Sequence, residues 1–178
     1  MKYFTRERYL AFQNFDDAAM DAADDEWENA TDRYEAYLQT IRPDMPESVR
    51  QLEDGFYFHD ARVLSMGRRD ETFVISLQLD VPPNELLTIT YALAGSPEVN
   101  KEPFADGKDT PSPWWLYEEI EQVGAGDRKH FVHSILFSNG WEISLPFSDV
   151  QVSRAEPVYP LPGTVFVPAS TPAVAPSA

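Results

Sequence analysis

The sequence predicts an α+β domain, with N-terminal helices packed on a bent antiparallel sheet of about six strands, a meander plus a C-terminal hairpin, and a disordered proline-rich tail. Three observations predict it. An apolar stripe at three- and four-residue steps runs through Trp27, Ala30, Tyr34, Leu38 and Ile41. Apolar residues alternate over 72–79 and 86–93, and Asn139-Gly140 sits between two runs of β-branched and aromatic residues. The implied organisation is one domain over 1–154, helical to 55 and sheet from 56, followed by a tail over 155–178.

Thr5 can cap a first short helix through Phe12, and Asn14, Asp16 and Asp17 offer a second start, because short oxygen-bearing side chains satisfy the free amides of a first turn. The stripe then carries the helix to Ile41, with Tyr37 at its edge. Asp24, Asp25, Glu28, Asp32 and Glu35 form a solvated acidic face. Pro43 ends this helix. In Asp44-Met45-Pro46-Glu47, Asp44 is placed to cap a third helix and Glu47 to close the capping box; Val49 and Leu52 point inward and Gly55 stops it.

After Gly55 the period changes to two. Strands are expected over 61–66, 72–79 and 86–93, joined by turns at 67–70 and at Pro82-Pro83-Asn84, which makes an antiparallel meander the simplest arrangement. A polar, Pro- and Gly-rich loop is expected between Gly95 and Pro113. A strand over 114–122 should follow, with Trp115 and Tyr117, and Leu116 and Ile120, in alternation.

For the hairpin, a two-residue type I′ turn at Asn139-Gly140 would set Leu136 against Ile143, Ser134 against Leu145 and Val132 against Phe147. The first strand is then apolar on both faces, and its Phe131/Ile135/Phe137 face needs a cover, an N-terminal helix or a second curl of sheet. Left uncovered, those three residues would be a binding surface. Beyond Arg154 the chain is rich in proline and small residues and is expected to be extended or disordered, with Val165-Phe166-Val167 as a weakly docked patch and a P-x-x-P spacing from Pro157 to Pro160.

Composition narrows the function. A hydrophobic content of 43% over 178 residues is enough to bury a core in one domain. No cysteine means no disulfide and no thiol catalysis. With 14 Lys plus Arg against 30 Asp plus Glu, the formal charge of −16 repels nucleic acid and attracts basic proteins. No apolar run long enough for a membrane span and no basic-then-apolar leader is seen, so a cytoplasmic setting is expected.

Chemistry-bearing patterns are sparse. His59-Asp60 before the first strand suits a metal-dependent hydrolase, but such a site needs further ligands, and His130 and His133, three apart on a strand, face opposite ways. Glu118 with Glu119, Glu142 with Asp149, and His133 with Ser134 are candidate acid-base or nucleophile pairs, yet strand neighbours diverge. No phosphate loop, dinucleotide fingerprint or EF-hand pattern is present, and no cofactor is implied. Trp114 and Trp115, after the Pro-rich loop, are candidates for a protein contact.

The stretches MKYFTRERY, FYFHDARVLSM, WWLYEEIE and FVHSILFSNGWEISLPFSDV together resemble a bacterial family of unknown function whose members begin with a similar Met-Lys-Tyr-Phe-Thr and carry a His-Asp before a strand. The resemblance covers most of 1–154 and implies no activity and no catalytic residues. The functional expectation is therefore a non-enzymatic acidic binding or regulatory protein, for example an immunity-like partner of a basic protein. The alternative is a metal-dependent hydrolase using His59 and Asp60. A third reading is an accessory domain tethered by its tail.

Overall fold

The computed structural model describes residues 1–13, 16–105 and 112–155. Asn14, and the tail with its expected disorder, docked patch and P-x-x-P spacing, lie outside the described residues. Helix α1 (Arg6–Ala11) starts at Thr5, whose side chain accepts the Arg8 N–H, and α2 (Asp17–Ile41) starts at Asp16, whose carboxylate accepts the Ala19 N–H at 3.0 Å. A single 3-10 turn, Arg42–Asp44, carries Pro43 between α2 and α3 (Glu47–Asp54). The expected capping box does not form. Pro46 occupies the cap position without a side-chain bond, the Asp44 carboxylate takes the Lys129 ammonium at 2.8 Å, and Glu47 pairs with Arg50 at 2.8 Å. Both carboxylates are drawn to cations rather than to free amides.

The strands are β1 (Arg62–Arg69), β2 (Thr72–Gln78), β3 (Leu86–Leu93), β4 (Glu98–Asn100), β5 (Trp115–Val123), β6 (His130–Phe137) and β7 (Glu142–Ala155). Every pairing is antiparallel, in the order β1-β2-β3-β7-β6-β5, with β4 added to β7. The meander is as expected, although β1 runs on through most of the expected turn, leaving only Asp70 and Glu71 between Arg69 and Thr72, with Asp70 at φ +52°. Strand β4 lies inside the segment read as a loop. Its three residues pair with the start of β7, whose later half pairs with β3.

The hairpin forms where the sequence places it, but its register differs by one residue. Phe137 donates to the Trp141 carbonyl and Gly140 donates to the Phe137 carbonyl, so three residues turn the chain. Gly140 has φ +86° and Asn139 is not in the left-handed region, the geometry of a type I turn followed by a glycine bulge rather than a type I′ turn. Ile135 therefore opposes Ile143, His133 opposes Leu145 and Phe131 opposes Phe147. The slip puts the odd-numbered residues of β6, and of β7 as far as Phe147, on one face; beyond the irregularity at Ser148 it is the even-numbered Val150 and Val152 that turn to the core. A Cβ at Gly140 would lie 2.4 Å from the Phe104 nitrogen, so a side chain there is excluded twice, by conformation and by space.

The sheet curls until its ends meet. Asp60 donates to the Trp115 carbonyl at 2.8 Å, Trp115 donates to the Ala61 carbonyl at 2.8 Å, and Val63 donates to the Pro113 carbonyl at 3.0 Å, which joins the start of β1 to the start of β5. Inside the curl lies the main core: Phe131, Ile135 and Phe137 of β6 with Ile75, Leu77, Ile89 and Tyr91 of the meander, closed at one end by Leu38 and Ile41 of α2 and Val49 and Leu52 of α3. The expected cover over β6 is thus both sheet and helix. Its other face is covered as well: Leu136 packs with Leu116 and Phe104 beneath Met1 and Tyr9. The segment ahead of α1 is held there by Glu119, whose carboxylate accepts the backbone N–H groups of Lys2, Tyr3 (2.8 Å) and Phe4 (3.4 Å), while the Met1 amino group meets Glu142 at 2.5 Å. Among the described residues no helix is long and apolar enough to cross a membrane.

Candidate functional site

The sequence-selected residues separate. Phe131, Ile135, Phe137 and Trp115 are buried core residues, so the face once open to a partner is occupied by the protein's own sheet and helices. Trp114 is 54% exposed and lines an open groove with Asp60, Arg62, Asp80 and Asn84. Trp115 and Tyr117 do not share a face: the pairing shifts between them, leaving Leu116 as an extra residue, so Trp115 faces the core and Tyr117 the second cluster.

His59 and Asp60 make a corner. Asp60 takes φ +64°, its N–H is part of the sheet closure, and the His59 Nδ1 contacts the Leu116 carbonyl at 2.6 Å. The His59 Nε2 lies 3.6 Å from the Asp60 carboxylate. Among the described residues no group of three or more His, Asp or Glu converges as a metal site. His130 and His133 diverge as the strand geometry requires: His130 contacts the Arg128 carbonyl at 3.1 Å, and His133 points into the curl, its Nδ1 2.9 Å from the Tyr91 hydroxyl.

The interior around His133 is the chemically distinctive part of the molecule. A cleft of about 440 Å³ opens between α2, the segment after α3 and β5, with Tyr34, Phe56, Tyr57, His59 and Tyr117 among its walls. Behind it lies a chamber of about 70 Å³ bordered by Tyr34, Glu53, Phe58, Glu118 and His133. The bulge at Leu116 turns Glu118 inward, and Trp115 Nε1 donates to one of its oxygens at 2.6 Å. Glu118 borders both the cleft and the chamber and is otherwise enclosed by protein, and this partial burial pushes its carboxyl up to about 7, against the opposing pull of the Trp115 hydrogen bond and of His59. Burial, then the adjacent Asp54, also raises Glu53, although Arg42 stands 3.3 Å away. His133 is buried and driven down to about 3 by desolvation alone, so it is a neutral imidazole, and its Nε2 meets no hydrogen-bond partner among the described residues. The Tyr34 hydroxyl oxygen accepts the Ile120 N–H at 2.7 Å, which leaves its proton free to donate.

In the sequence Glu118 stands out only beside Glu119, and His133 only beside Ser134 or as a possible co-ligand of His130. Adjacent residues do diverge: Glu119 turns outward to the N-terminal segment, and Ser134 outward to Ser144 at 2.9 Å. Three acids, Glu118, Glu119 and Glu121, within the otherwise apolar WWLYEEIE were the available signal, since a carboxylate in a strand covered on both faces must find a partner or a function.

On the outside, α2 carries eight acidic side chains and one basic one, Arg33, all exposed. Of the eight, only Glu26 pairs with a cation among the described residues, Arg8 at 3.8 Å. Against known proteins, the chain matches no family model and no curated sequence.

Proposed function

We propose that this protein is a non-enzymatic, acidic binding or regulatory protein of the cytoplasm, immunity-like in character, that offers the outer face of α2 to a basic protein and not to nucleic acid. The observation that carries the reading is the row of seven exposed α2 carboxylates without a cation partner among the described residues, on a chain of net charge −16. Such a row steers a cationic surface into contact and loses its pull as salt screens it. The helix is anchored from its other side by Ala23, Ala30, Leu38 and Ile41, so neutralising the outer row leaves the packing in place.

The test is a pull-down at about 0.05 M and about 0.5 M salt, comparing the natural protein with one carrying Asp21→Asn, Asp24→Asn, Asp25→Asn and Glu28→Gln. A basic partner retained at low salt, shed at high salt and lost with the neutralised helix supports the reading. No partner, or one indifferent to both salt and the substitutions, sinks it. The alternative, a metal-dependent hydrolase using His59 and Asp60, has less support because such a site needs several convergent ligands and, among the described residues, no group of three or more His, Asp or Glu converges. Stoichiometric metal in the purified protein and an activity abolished by His59→Ala would restore it.

A further inference from the structure

We infer that the cleft between α2 and β5 is a binding site for an organic cation, an alkylammonium or guanidinium group, whose charged head enters the chamber at Glu118 and His133. Four observations converge on that class of ligand. The walls are aromatic, and aromatic faces attract cations through their quadrupoles, most strongly where water is excluded. The charged side chains on the lining are the carboxylates Glu35, Glu53 and Glu118, with no Lys or Arg among them. The chamber is bordered by a buried imidazole whose Nε2 has no partner among the described residues; in the tautomer that gives Nδ1–H to the Tyr91 hydroxyl, that Nε2 is an acceptor for an N–H of the ligand. The size is also suitable, with about 440 Å³ in the cleft for an alkyl stem and about 70 Å³ behind it for a head group.

Glu118 keeps one oxygen on Trp115 and has the other without a described partner, so it can accept from a ligand without breaking its own anchor. An incoming positive charge also reverses what burial does to Glu118: it favours the ionised form, so that ligand and carboxylate hold one another charged where either alone would be disfavoured, beside a Glu53 that Arg42 already meets at 3.3 Å. An anion would face three carboxylates, and an apolar ligand would leave Glu118 and His133 desolvated without compensation.

This inference does not depend on the α2 reading, and one experiment separates the two. Calorimetric titration at about pH 8 uses n-butylammonium, agmatine and a short peptide containing one Lys and one Arg, with butyrate as the anionic control. Saturable binding of the cations and none of butyrate is expected, weakened about tenfold or more by Glu118→Gln, which preserves the Trp115 hydrogen bond, and clearly by Tyr57→Ala, whose parent side chain is 62% exposed and therefore cheap to remove. The α2-neutralised protein should bind the same cations as tightly as the natural one. Free amines binding as well as the peptide identify a small-molecule ligand; a peptide that binds far better identifies a Lys or Arg side chain of a protein. Absence of saturable binding by any cation, equal binding of butyrate, or indifference to both substitutions overturns the inference.

Discussion

Glu118→Gln should make the protein more stable, and by an amount that grows with pH. The carboxyl moves from an ordinary 4.5 to about 7 because folding takes most of it out of water, leaving part of the side chain on the cleft. That difference is worth roughly 3 kcal/mol between the two protonation states. Between those values the folded chain keeps a proton that the unfolded chain has released. The stability tied to Glu118 is therefore complete below about pH 4.5 and is lost as pH rises through about 7. Glutamine has the same shape, offers Trp115 Nε1 the same kind of acceptor, and does not titrate. In urea denaturation the midpoints of the two proteins should diverge by about 3 kcal/mol in free energy between about pH 4.5 and about pH 8, at an unchanged m value. The comparison cancels every other titrating group to first order, His133 included. A gap that stays constant with pH, or the natural protein gaining on the variant as pH rises, would refute the argument that Glu118 is held out of water in the folded state.

His133 works in the opposite sense. Its folded value of about 3 lies below its ordinary 6.5, so the unfolded chain binds more protons in between and stability falls as pH drops below about 6.5, by roughly 5 kcal/mol at the limit; His133→Gln should flatten that acid limb in the same urea experiment. Gly140→Ala should cost on the order of 2–4 kcal/mol, because alanine is strained at φ +86° and its Cβ meets the Phe104 backbone, a loss readable as a lower thermal midpoint with the fold's circular dichroism retained. Glu119→Ala removes the acceptor shared by three backbone amides at the start of the chain and should cost roughly 2–4 kcal/mol, with faster amide hydrogen exchange at Lys2, Tyr3 and Phe4.

The elements were legible in the sequence because each depends on local chemistry. Thr5 and Asp16 cap their helices through their own side chains, and β3 has the bounds its alternation gives. Register was not legible. A type I′ turn and a type I turn with a glycine bulge both set Asn139 before Gly140, and local sequence does not choose between them. Here the second is found where the turn also makes distant contacts: the Asn139 carbonyl accepts the Phe104 N–H at 3.2 Å and the Gly140 carbonyl accepts from Arg6 at 3.1 Å. One residue of slip exchanges the faces of the pairing, and so decides which side chains of β7 line the core. The candidate site was hidden for a related reason. Glu118 faces the cleft only because Leu116 is an extra residue in β5, and an irregularity of that kind depends on the partner strand and leaves no periodic signal.

His59-Asp60 shows how a pattern that suggests catalysis can instead hold a fold together. The positive φ of Asp60 turns the chain out of the segment after α3 so that its N–H reaches β5, and His59 binds the next carbonyl along, that of Leu116, the bulged residue itself. The dipeptide therefore fastens the seam where the curled sheet closes. The same seam shapes the cleft, since His59, Leu116 and Glu118 all line it. Closing the sheet and forming the cation site are one event, and a ligand seated between Tyr57 and Glu118 bridges both sides of the seam. Its binding should therefore stabilise the folded chain by the ordinary linkage of ligand to the native state, with the slowed amide exchange concentrated at the junction of β1 and β5 that the ligand bridges.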